Sequence, residues 1–135
     1  MTGIKGFQRK MRAMPISARR ALASATEKGA DEIARMAETL APEDTGDLVG
    51  SIAVTVGPKN TPAHSHPGGT RTVPEGAAAV TAGNGDVRYA HLVEFGTRKA
   101  PAQPFFWPAF RVLRKRSETR IKRAMTKAIK EEWNK

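Results

Sequence analysis

Three groups of side chains in this sequence have the chemistry of an active site or a metal centre. His91 and Glu94 are three residues apart. On a helix they would share a face and make a general acid–base pair. His64 and His66 flank Ser65 and offer two imidazoles, but a structural metal takes four ligands in fixed geometry, and the neighbouring sequence supplies no third or fourth. Glu43, Asp44 and Asp47 form a small acidic cluster, for which a turn and helix-end role is sufficient. The chain has no cysteine, which removes disulfides, thiolate metal sites and cysteine nucleophiles together. No nucleophile elbow, zinc-protease helix, phosphate-binding loop or dinucleotide fingerprint is present. These residues therefore predict a protein that is not an enzyme and holds no cofactor or metal.

The elements that would position them follow from periodicity. Apolar side chains at Ile4, Phe7, Met11, Met14, Ala18, Leu22, Ala25, Gly29, Ile33, Met36 and Leu40 step by three and four residues along one helical face. Pro15 interrupts the pattern, giving a short helix to about Met14 and a longer one from Pro15, at its first position, to Leu40. Asp44, Thr45 and Gly46 are turn residues, and Ile52 to Val56 alternates as a half-buried strand. Residues 57–76 hold four prolines and four glycines and read as a long loop or flexible arm. Residues 77–83, and then Val87 to Val93, resume strand-like or turn-like character, and Gly83 to Asp86 reads as a tight hairpin turn. Tyr89 to Phe95 fits a strand or a short helix. A C-terminal helix over 108–133 starts at Pro108, with Phe110, Leu113, Ser117, Ile121, Ala124, Ala128 and Ile129 on one stripe and Trp133 anchoring the last turn. The sum is an α+β domain spanning 1–135: a long N-terminal helix and a basic C-terminal helix on a small antiparallel sheet, with a long loop between strands.

The net charge of +10 is unevenly placed. Residues 1–40 carry eight basic and four acidic side chains, residues 41–107 five and six, and residues 108–135 ten and three. Such asymmetry favours an acidic partner, either nucleic acid or protein. Arg114, Lys115, Lys122, Arg123 and Lys127 are the candidate contacts with a DNA channel or an acidic partner. No zinc finger or recognition-helix motif accompanies them, so nucleic-acid contact would be non-specific. No apolar run reaches the roughly 18 residues of a membrane span, and the N-terminus lacks the apolar core of a secretion signal.

The stretch YAHLVEFGTRKAPAQPFFWPAF, residues 89–110, is the densest in aromatics and prolines. Pro101, Pro104 and Pro108 fix φ along it. Arg98, Lys99, Pro101, Gln103, Pro104, Phe105, Phe106 and Trp107 read as a preshaped knob for a protein interface, because ordering a stiff segment on contact costs little entropy. Of Phe105, Trp107 and Phe110, some are expected inward and at least one outward.

Together with APEDTGDLVGSI, residues 41–52, this stretch resembles the tailed-bacteriophage tail-component family first described from a Hong Kong lambdoid coliphage, which includes tail-completion and head–tail joining proteins. The likeness rests on Pro42, Asp44, Thr45, Gly46, Leu48, Ser51 and Ile52, then on Tyr89, Ala90, Glu94, Phe95, Gly96, Thr97, Pro101, Ala102, Gln103, Pro104, Phe105, Pro108, Ala109 and Phe110. Glu43 stands where the family has a small apolar residue. The resemblance implies a structural virion protein of the neck or upper tail, assembled in the bacterial host cytoplasm. It also implies a ring, commonly a hexamer, that contacts neck, tail-terminator or tail-tube proteins and joins head to tail or completes the tail. Two alternatives stand beside it: a tail-terminator ring, and a nucleic-acid-binding module suggested by charge.

Overall fold

A computed structural model of the 135-residue chain describes residues 6, 9, 12–42 and 46–134. The Asp44–Thr45 turn and most of the short helix expected before Pro15 lie outside them. The elements are α1 (Ile16–Leu40), α2 (Asp47–Gly50), β1 (Ala53–Val56), β2 (Lys59–Asn60), β3 (Thr72–Val73), β4 (Ala78–Thr81), α3 (Ala90–Phe95) and α4 (Phe106–Trp133). This is the expected α+β architecture.

Helix α1 is the central element, packed on α4 along one side and on β1 and β4 along another. Two neighbours require a wide buried face. Ala30, Ala34 and Ala37 are buried alongside the expected Ala18, Leu22, Ala25, Gly29 and Ile33, while Leu40 is exposed. Pro15 sits just before the first helical residue, where its carbonyl accepts from the Arg19 N–H at 3.0 Å. The helix ends at Ala41, which is extended at φ −71°, ψ 143°. Proline 42 disfavours helical geometry in the residue before it.

Helices α1 and α4 run antiparallel, with Ala37 and Ala109 meeting in the core at one end and Gly29 facing Ser117 midway. Small residues permit close approach: a methyl group at Gly29 would occupy the place of the Ser117 hydroxyl. Glu32 of α1 clamps the pair by binding Arg116 at 3.3 Å and also Arg120. The buried stripe of α4 runs through Ala109 and Ala128, leaving Phe110 and Ile129 exposed. Trp133, expected to anchor the last turn, is 88% exposed instead. By that point α4 has passed Ile16, the first residue of α1.

β1 and β4 pair antiparallel from Ala53↔Thr81 to Val56↔Ala78. Between them, the 57–76 segment folds onto itself. β2 and β3 form a two-residue ladder, and the Thr61 hydroxyl accepts from the Arg71 N–H at 2.7 Å and donates to the Gly69 carbonyl at 2.8 Å. Thr61, Ser65 and Val73 are buried, and His66 bridges to Ala82 at the end of β4. Residues 83–86 do not close a hairpin, because α3 follows instead of a strand. The Asn84 side chain accepts from the Asp86 and Val87 N–H groups, both at 2.9 Å, and turns the chain into α3.

The main core gathers the end of α1, α2, the sheet, α3 and the start of α4 around Phe105, which is fully buried. The Ser51 hydroxyl links two of these parts by donating to the Leu48 carbonyl at 2.6 Å and accepting from the Gly83 N–H at 2.9 Å.

The close α1–α4 contact makes a prediction. Gly29→Leu forces the helices apart and lowers unfolding free energy by about 1–3 kcal/mol, the usual cost of overpacking. Urea or thermal denaturation measures it, and an unchanged midpoint would contradict the packing described.

Candidate functional site

The 89–110 stretch forms a corner: α3, a loop, and the entry to α4. Helix α4 begins without a local cap, since its N-cap position is Phe105, which has no side-chain acceptor. An α-helix leaves its first four N–H groups without intrahelical partners. Here those positions are Phe105, Phe106, Trp107 and Pro108. Glu94, buried at 3% exposure, supplies the acceptor from α3. Its Oε1 accepts from the Phe105 and Phe106 N–H groups at 3.0 and 2.8 Å, and its Oε2 accepts from Trp107 at 3.2 Å. The fourth position is proline and has no N–H. One carboxylate thus satisfies every free donor at the start of a 28-residue helix. Its negative charge also complements the positive end of the helix dipole.

The loop between the two helices is shaped to return the chain to Glu94. Gly96 has φ +80°, and a Cβ there would lie 2.7 Å from the Ala102 nitrogen, so only glycine fits. The Thr97 hydroxyl accepts from the Lys99 and Ala100 N–H groups at 3.2 and 3.1 Å, and the Thr97 N–H donates to the Ala100 carbonyl at 2.8 Å. The Gln103 N–H donates to the Val93 carbonyl at 2.8 Å, closing the loop.

The geometry gives the acid–base candidates other surroundings. Glu94 is occupied by backbone donors, His91 is exposed, and the cleft of about 740 Å³ between α1 and α4 contains neither. His64 is exposed with φ +61°, whereas the His66 ring lies edge-on to Phe95, Phe106 and Trp107, at centroid distances of 5.6, 5.3 and 6.0 Å. Among the described residues, no group of three or more His, Asp or Glu is placed to hold a metal.

The hinge residues divide. Phe105 and Phe106 are buried core side chains, and Trp107 is half-buried. Arg98, Lys99, Pro101, Gln103 and Pro104 are exposed. The outward aromatic is Phe95, 63% exposed, with Tyr89 and Leu92 exposed on the same short helix. Phe110 and Val112 are exposed at the start of α4. Arg114, Lys115, Lys122, Arg123 and Lys127 are all exposed on α4.

His66 is the residue that sequence reasoning missed in this role. It joins the 57–76 loop to the corner through the aromatic cluster, and its Nε2 is buried without a hydrogen-bond partner among the described residues. Desolvation pushes its pKa below the ordinary value of 6.5; the negative charge of Glu94 opposes that shift and His91 adds to it. No pattern of spacing announces this role, because the ring's neighbours come from α3 and α4, distant in sequence.

Residues 5–96 match the model of the family described as "Bacteriophage HK97-gp10, putative tail-component". No curated protein and no solved structure matches the chain.

Two predictions follow from the corner. Glu94→Gln keeps the shape but loses the charge and turns an amide donor toward the helix N–H groups; it destabilises by about 2 kcal/mol, and Glu94→Ala by more. A denaturation midpoint unmoved by Glu94→Ala would contradict the cap. For His66, a lowered folded pKa means that the unfolded chain binds the proton more tightly. Stability from this residue is complete above pH 6.5 and is lost as pH falls through the lowered folded value. Thermal unfolding measured from pH 7.5 to 5 (roughly the range in which histidine titrates) shows a decline that His66→Leu reduces; an identical decline in the variant would contradict this.

Proposed function

The chain belongs to the HK97-gp10-like family of tailed-phage tail components, and from that premise we propose that it is a ring-forming structural protein of the phage neck or upper tail, joining the head to the tail or completing the tail end. In this reading the chain is a structural part of the virion.

The observation that carries the reading is the corner itself. A segment braced by Glu94, Gly96, Thr97 and prolines holds Phe95 and Leu92 out to solvent beside the exposed Arg98 and Lys99. Apolar side chains in such a cluster mark an interaction site. Because the corner is already fixed, docking it costs little ordering entropy. A ring needs contact between unlike surfaces of neighbours, with a rotation that closes. The corner supplies one such surface, and the flanks of the α1–α4 pair supply the other. Six copies around the axis make the expected ring, with the 57–76 loop directed at an adjoining layer of neck, terminator or tube protein.

The contact is tested away from the core. Leu92→Ser combined with Arg98→Glu leaves the Glu94 cap, the Phe95–His66 contact and the buried aromatics in place, so the folded chain melts close to the parent. In a complementation assay, infectious particles fall by roughly tenfold or more, the effect of losing one interface hot spot, and electron microscopy shows unjoined heads and tails. Normal numbers of tailed, infectious particles would overturn the proposal.

A further inference from the structure

Helix α4 carries more positive charge than its own fold uses. Arg114 is paired with Glu118, and Arg116 and Arg120 with Glu32. Arg111, Lys115, Lys122, Arg123, Lys127 and Lys130 are exposed and have no ion pair among the described residues. At about 100° per residue, these six fall in two rows on α4, with Lys127 at the edge of the cleft between α4 and α1. Arg111, Lys115 and Lys122 form one row. Arg123, Lys127 and Lys130 form the other, roughly 100° round the helix. Thr119 and Thr126 lie on the crest between the rows, and Glu131 borders the second row beside Lys127. From residue 111 to residue 130 the rows run for ~28 Å at 1.5 Å per residue.

We propose that this face of α4 binds duplex DNA without sequence preference, each row of cations following one of the two phosphate strands that border a groove. The two-row arrangement distinguishes DNA from an acidic protein, whose carboxylates are not set in parallel lines. The crest offers two short hydroxyls and lacks the Arg, Asn or Gln side chains that read base edges. Phosphate contact alone therefore supplies the affinity, and salt governs it. The inference extends the tail-component reading, which makes packaged DNA the polyanion at hand. Its test uses the isolated chain, so that failure to bind DNA and failure to enter particles are separate results.

The experiment measures binding of the full chain to a fluorescent random-sequence duplex over a series of salt concentrations. It compares wild type with Lys115→Gln/Lys122→Gln/Arg123→Gln and with a control that loses equal charge elsewhere, Lys28→Gln/Lys59→Gln/Arg71→Gln. All six positions are exposed, and circular dichroism confirms folding. The expected result is a salt slope reduced by about 2.7 in the α4 variant, from roughly 0.9 per phosphate contact, with the control close to wild type. Equal losses in both variants would reduce the effect to net charge and overturn the assignment. So would the absence of DNA binding by the wild type, or competition by polyglutamate equal to that by DNA at matched charge.

Discussion

One carboxylate at the head of one helix organises this molecule. Helix α4 starts on Phe105-Phe106-Trp107-Pro108, a sequence with no polar side chain to receive its N–H groups, at a place where the core excludes water. Burying three such donors unpaired would cost on the order of 1–3 kcal/mol each. Glu94 receives all three, and the fourth position has no donor. The need to bring Glu94 there accounts for the rest of the corner: α3 to carry it, Gly96 to reverse the chain, Thr97 to close the turn, and Gln103 to tie the returning strand to Val93. Phe105 then enters the core, and Phe95, next to the buried Glu94, is left outside.

The same constraint decides which parts can act as surface. Alanine and glycine along α1 let α4 approach closely, so the hairpin is thin and most of the circumference of α4 remains in solvent. The fold uses three of its cations in ion pairs with Glu32 and Glu118 and leaves the outer rows free. The corner offers apolar and aromatic contact, whereas α4 offers charge. These surfaces differ in chemistry and suit different partners.

Much of the fold was legible in the sequence because its long elements are periodic. The face of α1, its stop at Pro42, the 53–56 strand and α4 all follow from spacing and proline chemistry. What spacing could not supply was contact between distant segments. The width of the buried face on α1 depends on having two neighbours, and the exposure of Trp133 depends on how far α4 extends past Ile16 of α1. The 57–76 segment, read from its prolines and glycines as an arm, is folded on itself through Thr61 and Ser65, whose hydroxyls replace a hydrophobic core at that point. Within the corner, Glu94 and His91 had the spacing of an acid–base pair. The signal against that reading was already present: a helix opening on aromatic residues must find its cap elsewhere, and Glu94 is the nearest preceding acid. Family membership rests on residues 5–96, which end at Gly96. The roles of Pro101 to Phe110 therefore stand on geometry.

Amide hydrogen exchange at Phe105, Phe106 and Trp107 tests the central claim most directly, since it reads the three capped N–H groups one by one in the unmodified chain. If Glu94 holds them as described, they exchange as slowly as amides in the middle of α4, opening only when the whole domain unfolds. Exchange as rapid as that of the exposed Arg98–Ala102 loop would mean that the donors face water, and the cap that organises the corner would not exist.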